Sequence, residues 1–288
     1  MSEPNETLEL LAEHACFGGV QRYYRHASSE IGLPMRFGVY LPPQAKQAPV
    51  PAVVYLAGLT CNEETFAIKA GAQGRAAELG LALITPDTSP RGAGTTGEAE
   101  SWDFGVGAGF YLDATQAPWS RHWRMESYLI DELIDLVTQT LPVDGERIGL
   151  FGHSMGGHGA LTLALRHPGR FKSLSALAPI CAPTLCPWGH KAFSGYLGPD
   201  KASWAAHDAS ALMAAQHQAP YPAGILIDQG LADPFLTEQL YPQAFEAACA
   251  AVSQPLTLRR HADYDHGYYF IQSFVADHLE HHHRALTT

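Results

Sequence analysis

The sequence predicts an α/β fold with a mostly parallel central sheet and helices on both faces. Short apolar runs rich in β-branched residues alternate with longer segments of helical periodicity, which is typical of a doubly wound sheet. Residues 52–56 are apolar at every position, as expected of a strand buried on both faces. No internal repeat or low-complexity linker divides the 288 residues, so we expect one domain spanning residues 1–288.

The pattern places each element along the chain. The predicted strands cover residues 36–41, 52–56, 82–85, 147–151, 174–178, 224–227 and 256–260. The predicted helices cover residues 63–79, 125–141, 157–167, 237–251 and 268–283. The glycine-rich segment 89–109 lies between a strand and a helix, on the side where such sheets bind ligands. We expect it to line a pocket, although it lacks the G-x-x-x-x-G-K-[ST] pattern of a phosphate-binding loop.

A G-x-S-x-G motif occupies residues 152–156, directly after the apolar run 147–151. A serine at such a strand–turn–helix elbow has its Oγ exposed above the sheet, and the flanking glycines leave room for a strained backbone. An ordinary turn between a strand and a helix is the alternative. The strand context favours Ser154 as the nucleophile of a serine hydrolase, which needs an acid, a base and an oxyanion hole elsewhere.

An acid and a base follow in the chain order Ser, Asp, His that α/β-hydrolases use. After the strand 224–227, Asp233 is the candidate acid, and Asp228 at the strand end is the structural alternative. His266, in a turn before the last predicted helix, is the candidate base, and His261 is the alternative. In such a triad the imidazole takes the serine proton while the carboxylate fixes the imidazole tautomer.

The oxyanion hole requires two backbone N–H donors. We predict one at Met155, the residue after the nucleophile, and one at Leu59, in the loop after strand 52–56. Four side chains are candidates for the wall of the substrate pocket: Cys61, Trp102, Phe104 and Trp188. Free cysteines and aromatic residues most often pack in a core, so core packing is the alternative for each.

Composition argues against several classes of protein. The net charge of −11 disfavours nucleic acid as a partner. No apolar run approaches the roughly 20 residues of a membrane span, and residues 1–7 lack the features of a secretion signal. The five scattered cysteines suit reduced thiols and lack a zinc-ribbon spacing. We therefore expect a cytoplasmic protein with no membrane partner and no metal.

Segments along nearly the whole chain resemble the S-formylglutathione hydrolase family, also called esterase D. The most specific are Trp-Asp-Phe-Gly at 102–105 and Phe-Ser-Gly-Tyr-Leu-Gly at 193–198. Further matches lie at 58–61, 86–92, 152–157, 186–189, 228–230 and 264–266. The chain departs from the resemblance at Ala57, where the family usually has serine, and at His190, where lysine is usual.

The resemblance implies an α/β-hydrolase fold and hydrolysis of the thioester S-formylglutathione to formate and glutathione, a step of formaldehyde detoxification. It implies no metal or organic cofactor, and a homodimer. The motif match implies Ser154, Asp233 and His266 as the triad. Because His190 replaces a lysine, it bears on how the anionic glutathione part of the substrate is bound.

Two other functions stay open at this point. One is a broad-specificity short-chain carboxylesterase or acyltransferase on the same scaffold, because a fold does not fix its substrate. The other is a binding module that keeps the fold without catalysis. The presence of Ser154, Asp233 and His266 in the expected order argues against the second.

Overall fold

A computed structural model describes residues 8–287, so residues 1–7, in which we expected no secretion signal, lie outside the described part. Within that part there are nine strands, numbered in chain order. They are β1 (Glu9–Cys16), β2 (Gly19–Ala27), β3 (Pro34–Leu41), β4 (Val50–Leu56), β5 (Ala82–Pro86), β6 (Val143–His153), β7 (Ser173–Leu177), β8 (Ile225–Gly230) and β9 (Leu256–His261). They form one sheet in the order β1-β2-β3-β5-β4-β6-β7-β8-β9.

Most of this sheet is parallel. From β5 onward in the sheet order, each strand runs parallel to the next, whereas β1, β2 and β3 add an antiparallel margin. The carboxyl ends of the parallel strands share one edge, where Leu56 pairs with Gly152 and Leu177 pairs with Asp228. The predicted mostly parallel sheet is confirmed, and the segments that carry the predicted nucleophile, acid and base all begin at this edge.

Helices pack against the sheet between the strands. They are α1 (Thr65–Lys69), α2 (Gln73–Leu79), α3 (Met125–Ser127), α4 (Ile134–Thr140), α5 (Met155–Arg166), α6 (Pro187–Tyr196), α7 (Lys201–Trp204), α8 (Ala209–Ala214), α9 (Pro242–Ala251) and α10 (Tyr268–Leu286). A π-helical segment, Tyr128–Leu133, joins α3 to α4, and a second, Leu236–Leu240, precedes α9. Among residues 8–287, no helix combines the length and the apolar character that crossing a membrane requires.

Some predicted elements differ from the structure. All predicted strands are present with ends shifted by a few residues, but β1 and β2 were not predicted, and neither were α6, α7 and α8. The single predicted helix over residues 63–79 is wrong, because Gly71 at φ 66° separates α1 from α2. A left-handed residue cannot continue a right-handed helix. Tyr241, at φ 51°, likewise separates the second π-helical segment from α9.

A hydrogen-bonded chain of buried polar side chains fastens α10 to the sheet. His282 Nδ1 lies 2.6 Å from Ser173 Oγ, and its Nε2 lies 2.9 Å from Ser175 Oγ. Ser175 Oγ lies 2.8 Å from His278 Nδ1, and His278 Nε2 lies 3.0 Å from Asp228 Oδ2. Every ring nitrogen in this chain lies within hydrogen-bond distance of a serine hydroxyl or of the Asp228 carboxylate. Two histidines of this histidine-rich segment, His278 and His282, are therefore part of the core.

Several buried histidines make stability depend on pH. Burial lowers the pKa of His207 and His281 to about 4 and that of His158 to about 3. Burial also holds the pKa of His282 well below its ordinary value. Because these folded-state pKa values lie below the unfolded value of about 6.5, the stability they contribute is complete above about pH 6.5. It is lost as the pH falls toward the folded-state values.

We therefore expect the free energy of unfolding to fall as the pH drops below about 6.5. Each of these histidines lowers it by about 1.4 kcal/mol per pH unit in that window, because the unfolded chain binds a proton that the folded chain does not. Urea titrations at several pH values measure this slope. His281→Asn should make the fall shallower, whereas His14→Gln, at an exposed position, should leave it unchanged. A free energy of unfolding that stays constant across the window would contradict the expectation.

Candidate active site

Ser154 occupies a strained turn between β6 and α5. Its backbone has φ 59° and ψ −119°, a combination that residues with a Cβ rarely adopt. A Cβ on Gly152 would lie 2.2 Å from the carbonyl oxygen of Gly156. A Cβ on Gly156 would lie 1.9 Å from the carbonyl oxygen of Leu56. The two glycines of G-x-S-x-G therefore allow the turn to press directly against the end of β4.

Main-chain hydrogen bonds hold this strained conformation. The N–H of Ser154 donates to the carbonyl oxygen of Leu177 at 3.0 Å, at the end of β7. The carbonyl oxygen of Ser154 accepts from the N–H of His158 at 2.9 Å and from that of Ile180 at 3.2 Å. Because a strained residue persists only where its surroundings fix it, these bonds define the position of the Ser154 side chain.

Asp233 and His266 form a hydrogen-bonded pair although 33 residues separate them, with 2.5 Å between Asp233 Oδ2 and His266 Nδ1. The carboxylate of Asp233 is fully buried. It also accepts from the side-chain amide of Gln229 at 3.2 Å and from the N–H of Phe235 at 2.8 Å. A carboxylate on Nδ1 fixes the imidazole tautomer, which leaves Nε2 free to accept a proton.

The ring of His266 lies beside the elbow. Its centroid is 4.4 Å from that of His153, the residue before Ser154, and 5.0 Å from that of Phe235. His153 is buried, and this burial, together with the neighbouring His266, lowers the pKa of His153 well below its ordinary value. A neutral His153 supplies a packing surface for His266 without adding a second charge.

The alternative acid and base form a separate cluster. Asp228 accepts from Arg259 Nε at 2.6 Å and from Arg259 Nη2 at 2.5 Å, and it contacts His261 Nε2 at 2.9 Å. Burial alone raises the pKa of Asp228, but the hydrogen bonds from Arg259, His278 and His261 hold it well below its usual range. Asp228 and Arg259 are also paired residues of β8 and β9. This cluster therefore braces two strands beneath the loops that carry the other pair.

The segments with the predicted oxyanion-hole donors both contact the elbow. Met155 is the first residue of α5, and N–H groups at the start of a helix have no acceptor within it. Leu59 follows Gly58, where a Cβ would lie 3.2 Å from Ser154 Cβ. The N–H of Cys61 donates to the carbonyl oxygen of Gly58 at 3.3 Å and closes this turn. The two N–H groups thus belong to segments that both adjoin Ser154.

Aromatic rings form a row that leads from solvent to the imidazole. Trp102, which is 56% exposed, meets Trp188 edge-on at 5.7 Å between centroids. Trp188 contacts Phe235 at 4.8 Å, and Phe235 meets His266 edge-on at 5.0 Å. Phe235 is not among the residues predicted from the sequence. Its position two residues after Asp233, in the loop that carries the acid, is the signal that could have identified it.

Phe104 packs in a different aromatic cluster. It stacks on Tyr196 at 4.4 Å and meets Trp119 at 4.7 Å between ring centroids. A Cβ on Gly195 would lie 2.4 Å from Phe104 Cζ, so the ring lies directly on α6. The structure therefore places Phe104 in a core-packing position, which was the alternative to a pocket wall. The Phe104 ring supports the loop that presents Trp102.

Cys61 lies near the elbow in a largely buried position. Its Sγ is 3.9 Å from Tyr268 Oη, at the start of α10. Burial raises the pKa of the Cys61 thiol, although Tyr268, Thr65 and Lys69 partly oppose this effect. A raised pKa keeps the sulfur protonated and weakly nucleophilic at neutral pH.

Comparisons with known proteins agree with the family that the motifs suggested. The family described as "Putative esterase" matches residues 28–281. The S-formylglutathione hydrolase of Rattus norvegicus is 51% identical over 276 residues, which cover 96% of this chain and 97% of the relative. That of Paracoccus denitrificans is 51% identical over 274 residues, covering 95% and 96%. The chain belongs to the S-formylglutathione hydrolase family.

Solved structures extend this assignment to the fold. An S-formylglutathione hydrolase from Agrobacterium tumefaciens superposes with a TM-score of 0.93 at 46% identity, covering 96% of this chain and 99% of that one. A fluorophosphonate-binding serine hydrolase of Staphylococcus aureus superposes with a TM-score of 0.73 at 20% identity, covering 92% and 98%. At that identity the second match bears on the fold alone. The predicted α/β-hydrolase fold is confirmed.

Mutation of the acid in each Asp–His pair should have a different effect, on activity in one case and on stability in the other. We expect Asp233→Asn to lower kcat/KM on 4-nitrophenyl acetate by about 10³- to 10⁴-fold with little loss of stability, because the imidazole tautomer is no longer fixed. Asp228→Asn should instead lower the free energy of unfolding by about 1–3 kcal/mol, because Arg259 and His278 each lose a charged hydrogen-bond partner that is fully buried. Ester hydrolysis and urea unfolding of both variants measure the two effects. If Asp228→Asn abolished ester hydrolysis and Asp233→Asn mainly reduced stability, Asp228 would be the catalytic acid and Asp233 the structural one.

Proposed function

We propose that the chain is a serine thioesterase that hydrolyses S-formylglutathione to formate and glutathione, a step of formaldehyde detoxification. The observation that carries this proposal is the buried Asp233–His266 pair beside the strained Ser154 elbow. Relatives about half identical over nearly the full length carry the name S-formylglutathione hydrolase, which supports this substrate over other acyl compounds.

In the proposed mechanism, Ser154, Asp233 and His266 act as a catalytic triad. Ser154 Oγ attacks the thioester carbonyl carbon while His266 Nε2 takes the hydroxyl proton. Asp233 orients the imidazole and stabilises the imidazolium that forms. The N–H groups of Met155 and Leu59 donate to the oxyanion of the tetrahedral intermediate, an interaction typically worth about 3–4 kcal/mol per donor.

Two further steps complete the turnover. The intermediate collapses with cleavage of its C–S bond, His266 returns the proton to the leaving sulfur, and glutathione departs from a formyl-Ser154 ester. Water then attacks the ester carbonyl while His266 again acts as the base. The second intermediate releases formate and restores the Ser154 hydroxyl. No metal or organic cofactor takes part in these steps.

A short-chain carboxylesterase is the second candidate function. An acyl-enzyme on Ser154 cleaves oxygen esters by the same steps, and the match to the esterase family favours this side activity. The row of Trp102, Trp188 and Phe235 offers an apolar wall next to His266, which suits uncharged acyl and alcohol groups. Both activities use the same catalytic residues, so the thioesterase and the carboxylesterase reaction differ only in catalytic efficiency.

We also propose a homodimer and a cytoplasmic location, as the family resemblance implies. For a chain of 31.2 kDa, light scattering of the purified protein should give twice this mass across a range of concentrations. A mass of one chain at all concentrations would contradict the dimer. Fractionation of cells that express the chain, with enzyme activity as the readout, tests the location.

Replacement of the nucleophile is the most direct test of the mechanism. We expect Ser154→Ala to abolish labelling by a fluorophosphonate probe and to lower kcat on S-formylglutathione by about 10⁶-fold, because no acyl-enzyme can form. Ser194→Ala, at an exposed position on α6, is the matched control and should react like the wild type. Equal labelling of Ser154→Ala and the wild type would defeat the catalytic assignment.

The same enzyme preparations separate the two candidate functions. We expect kcat/KM on S-formylglutathione to exceed that on 4-nitrophenyl acetate by about 100-fold, because binding of the peptide part contributes to transition-state stabilisation. The formyl group is small, so efficiency on 4-nitrophenyl esters should fall as the acyl chain lengthens. Higher efficiency on the simple esters would favour the carboxylesterase.

A further inference from the structure

A cleft of about 400 Å³ lies at the carboxyl edge of the sheet and takes no part in the mechanism above. It is bounded by the end of β2, the start of β3 and the loops after β4 and β5. Five charged side chains line it: Arg25, Arg36, Glu63, Asp87 and Arg91. This concentration of charge contrasts with the aromatic row of Trp102, Trp188 and Phe235.

A single turn connects this cleft to the elbow. One end of the turn is Gly58, which lies against Ser154, and the other end is Cys61, whose N–H bonds to Gly58. Arg91 Nη2 donates to the carbonyl oxygen of Cys61 at 3.1 Å. Because the ends of a β-turn lie within about 7 Å, the cleft begins roughly one turn away from the nucleophile.

Two of the arginines are already paired. Arg91 donates to both carboxylate oxygens of Asp87, with distances of 2.6 Å from Nε and 2.8 Å from Nη2. Arg25 pairs with Glu9 at 2.6 Å on the rim. These bidentate or short ion pairs satisfy both partners, so they form the frame of the cleft.

Arg36 and Glu63 are not joined in this way. Their closest atoms, Arg36 Nη1 and Glu63 Oε1, are 3.9 Å apart, which is too long for a hydrogen bond. The Glu63 side chain is only 3% exposed, whereas that of Arg36 is 51% exposed. Burial, and secondarily the charge of Asp87, raises the pKa of the Glu63 carboxyl. A cation brought close to Glu63 would relieve this unfavourable burial.

We propose that this cleft binds the zwitterionic γ-glutamyl head group of the glutathione thioester. Glu63 receives the α-ammonium group and Arg36 receives the α-carboxylate. An α-amino acid carries these two charges on adjacent atoms of one carbon, which matches a carboxylate and a guanidinium that face each other without a direct hydrogen bond. The inference rests on the proposed function and extends it from the acyl group to the peptide.

The length of the substrate agrees with this placement. Seven bonds separate the sulfur of glutathione from the α-carbon of its γ-glutamyl residue, an extended span of about 9 Å. The ends of the turn from Gly58 to Cys61 lie within about 7 Å, and the two residues that reach Glu63 add at most about 7 Å. A span of about 9 Å lies within this limit, so a thioester carbonyl at Ser154 is compatible with a head group that contacts both Arg36 and Glu63.

Binding of a non-hydrolysable ligand tests the subsite without relying on turnover. Calorimetry with S-methylglutathione should show that Glu63→Gln and Arg36→Gln each raise Kd by about tenfold, because each removes one charge-assisted hydrogen bond. N-acetyl-S-methylglutathione, which lacks the ammonium group, should bind the wild type about tenfold more weakly and should not respond to Glu63→Gln. Arg147→Gln, at an arginine that pairs with Asp144 and does not line the cleft, is the matched control and should leave both Kd values unchanged within about twofold.

The outcomes separate this subsite from the proposed function. Efficiency on 4-nitrophenyl acetate should stay within about twofold of the wild type in all three variants, because that ester has no head group. Unchanged binding of S-methylglutathione in Arg36→Gln overturns the subsite, even if Glu63→Gln fails to fold, because Arg36 is half exposed. Absence of binding to the wild type also overturns it. Hydrolysis of S-formylglutathione by the wild type, measured in parallel, would leave the proposed function standing in either case.

Discussion

The close approach of the nucleophile turn to β4 is the constraint on which the site depends. A Cβ at Gly156 would lie 1.9 Å from the carbonyl oxygen of Leu56, so only hydrogen fits between these segments. This contact brings the loop after β4 against Ser154, with Gly58 close to its Cβ. The nucleophile, one predicted oxyanion donor and the turn that leads to the charged cleft are therefore positioned by one contact.

The parallel register positions the rest of the machinery. Because β7 and β8 pair with Leu177 opposite Asp228, the loop with Asp233 starts level with the elbow. The ion pair between Asp228 and Arg259 then locks β8 to β9, which holds the loop of the acid beside the loop of the base. The Asp233–His266 contact thus depends on a second, fully buried acid that never meets the substrate in the proposed mechanism.

Sequence patterns predicted the parallel strands because these are apolar on both faces, and the elbow because its glycines cannot be replaced there. They failed for β1, an edge strand exposed at most positions, because its apolar and polar residues do not alternate as those of a half-buried strand do. They favoured Asp233 over Asp228 only by position, because both closely follow the predicted strand 224–227, whereas in the structure the pairing with His266 separates them. The packing of Phe104 depends on contacts between distant segments, which no local pattern encodes. Phe235 had one local signal, its position two residues after Asp233, but its contact with His266 appears only in the structure.

The attachment of α10 has a consequence for when the site is assembled. His278 and His282 anchor this helix in the core, and the helix begins directly after the turn that carries His266. The main-chain bonds that hold Ser154 come from residues 158–180, whereas the turn that carries His266 is fixed through α10. The nucleophile and its base are therefore held by separate parts of the chain, and the site is complete only when α10 is docked against the sheet.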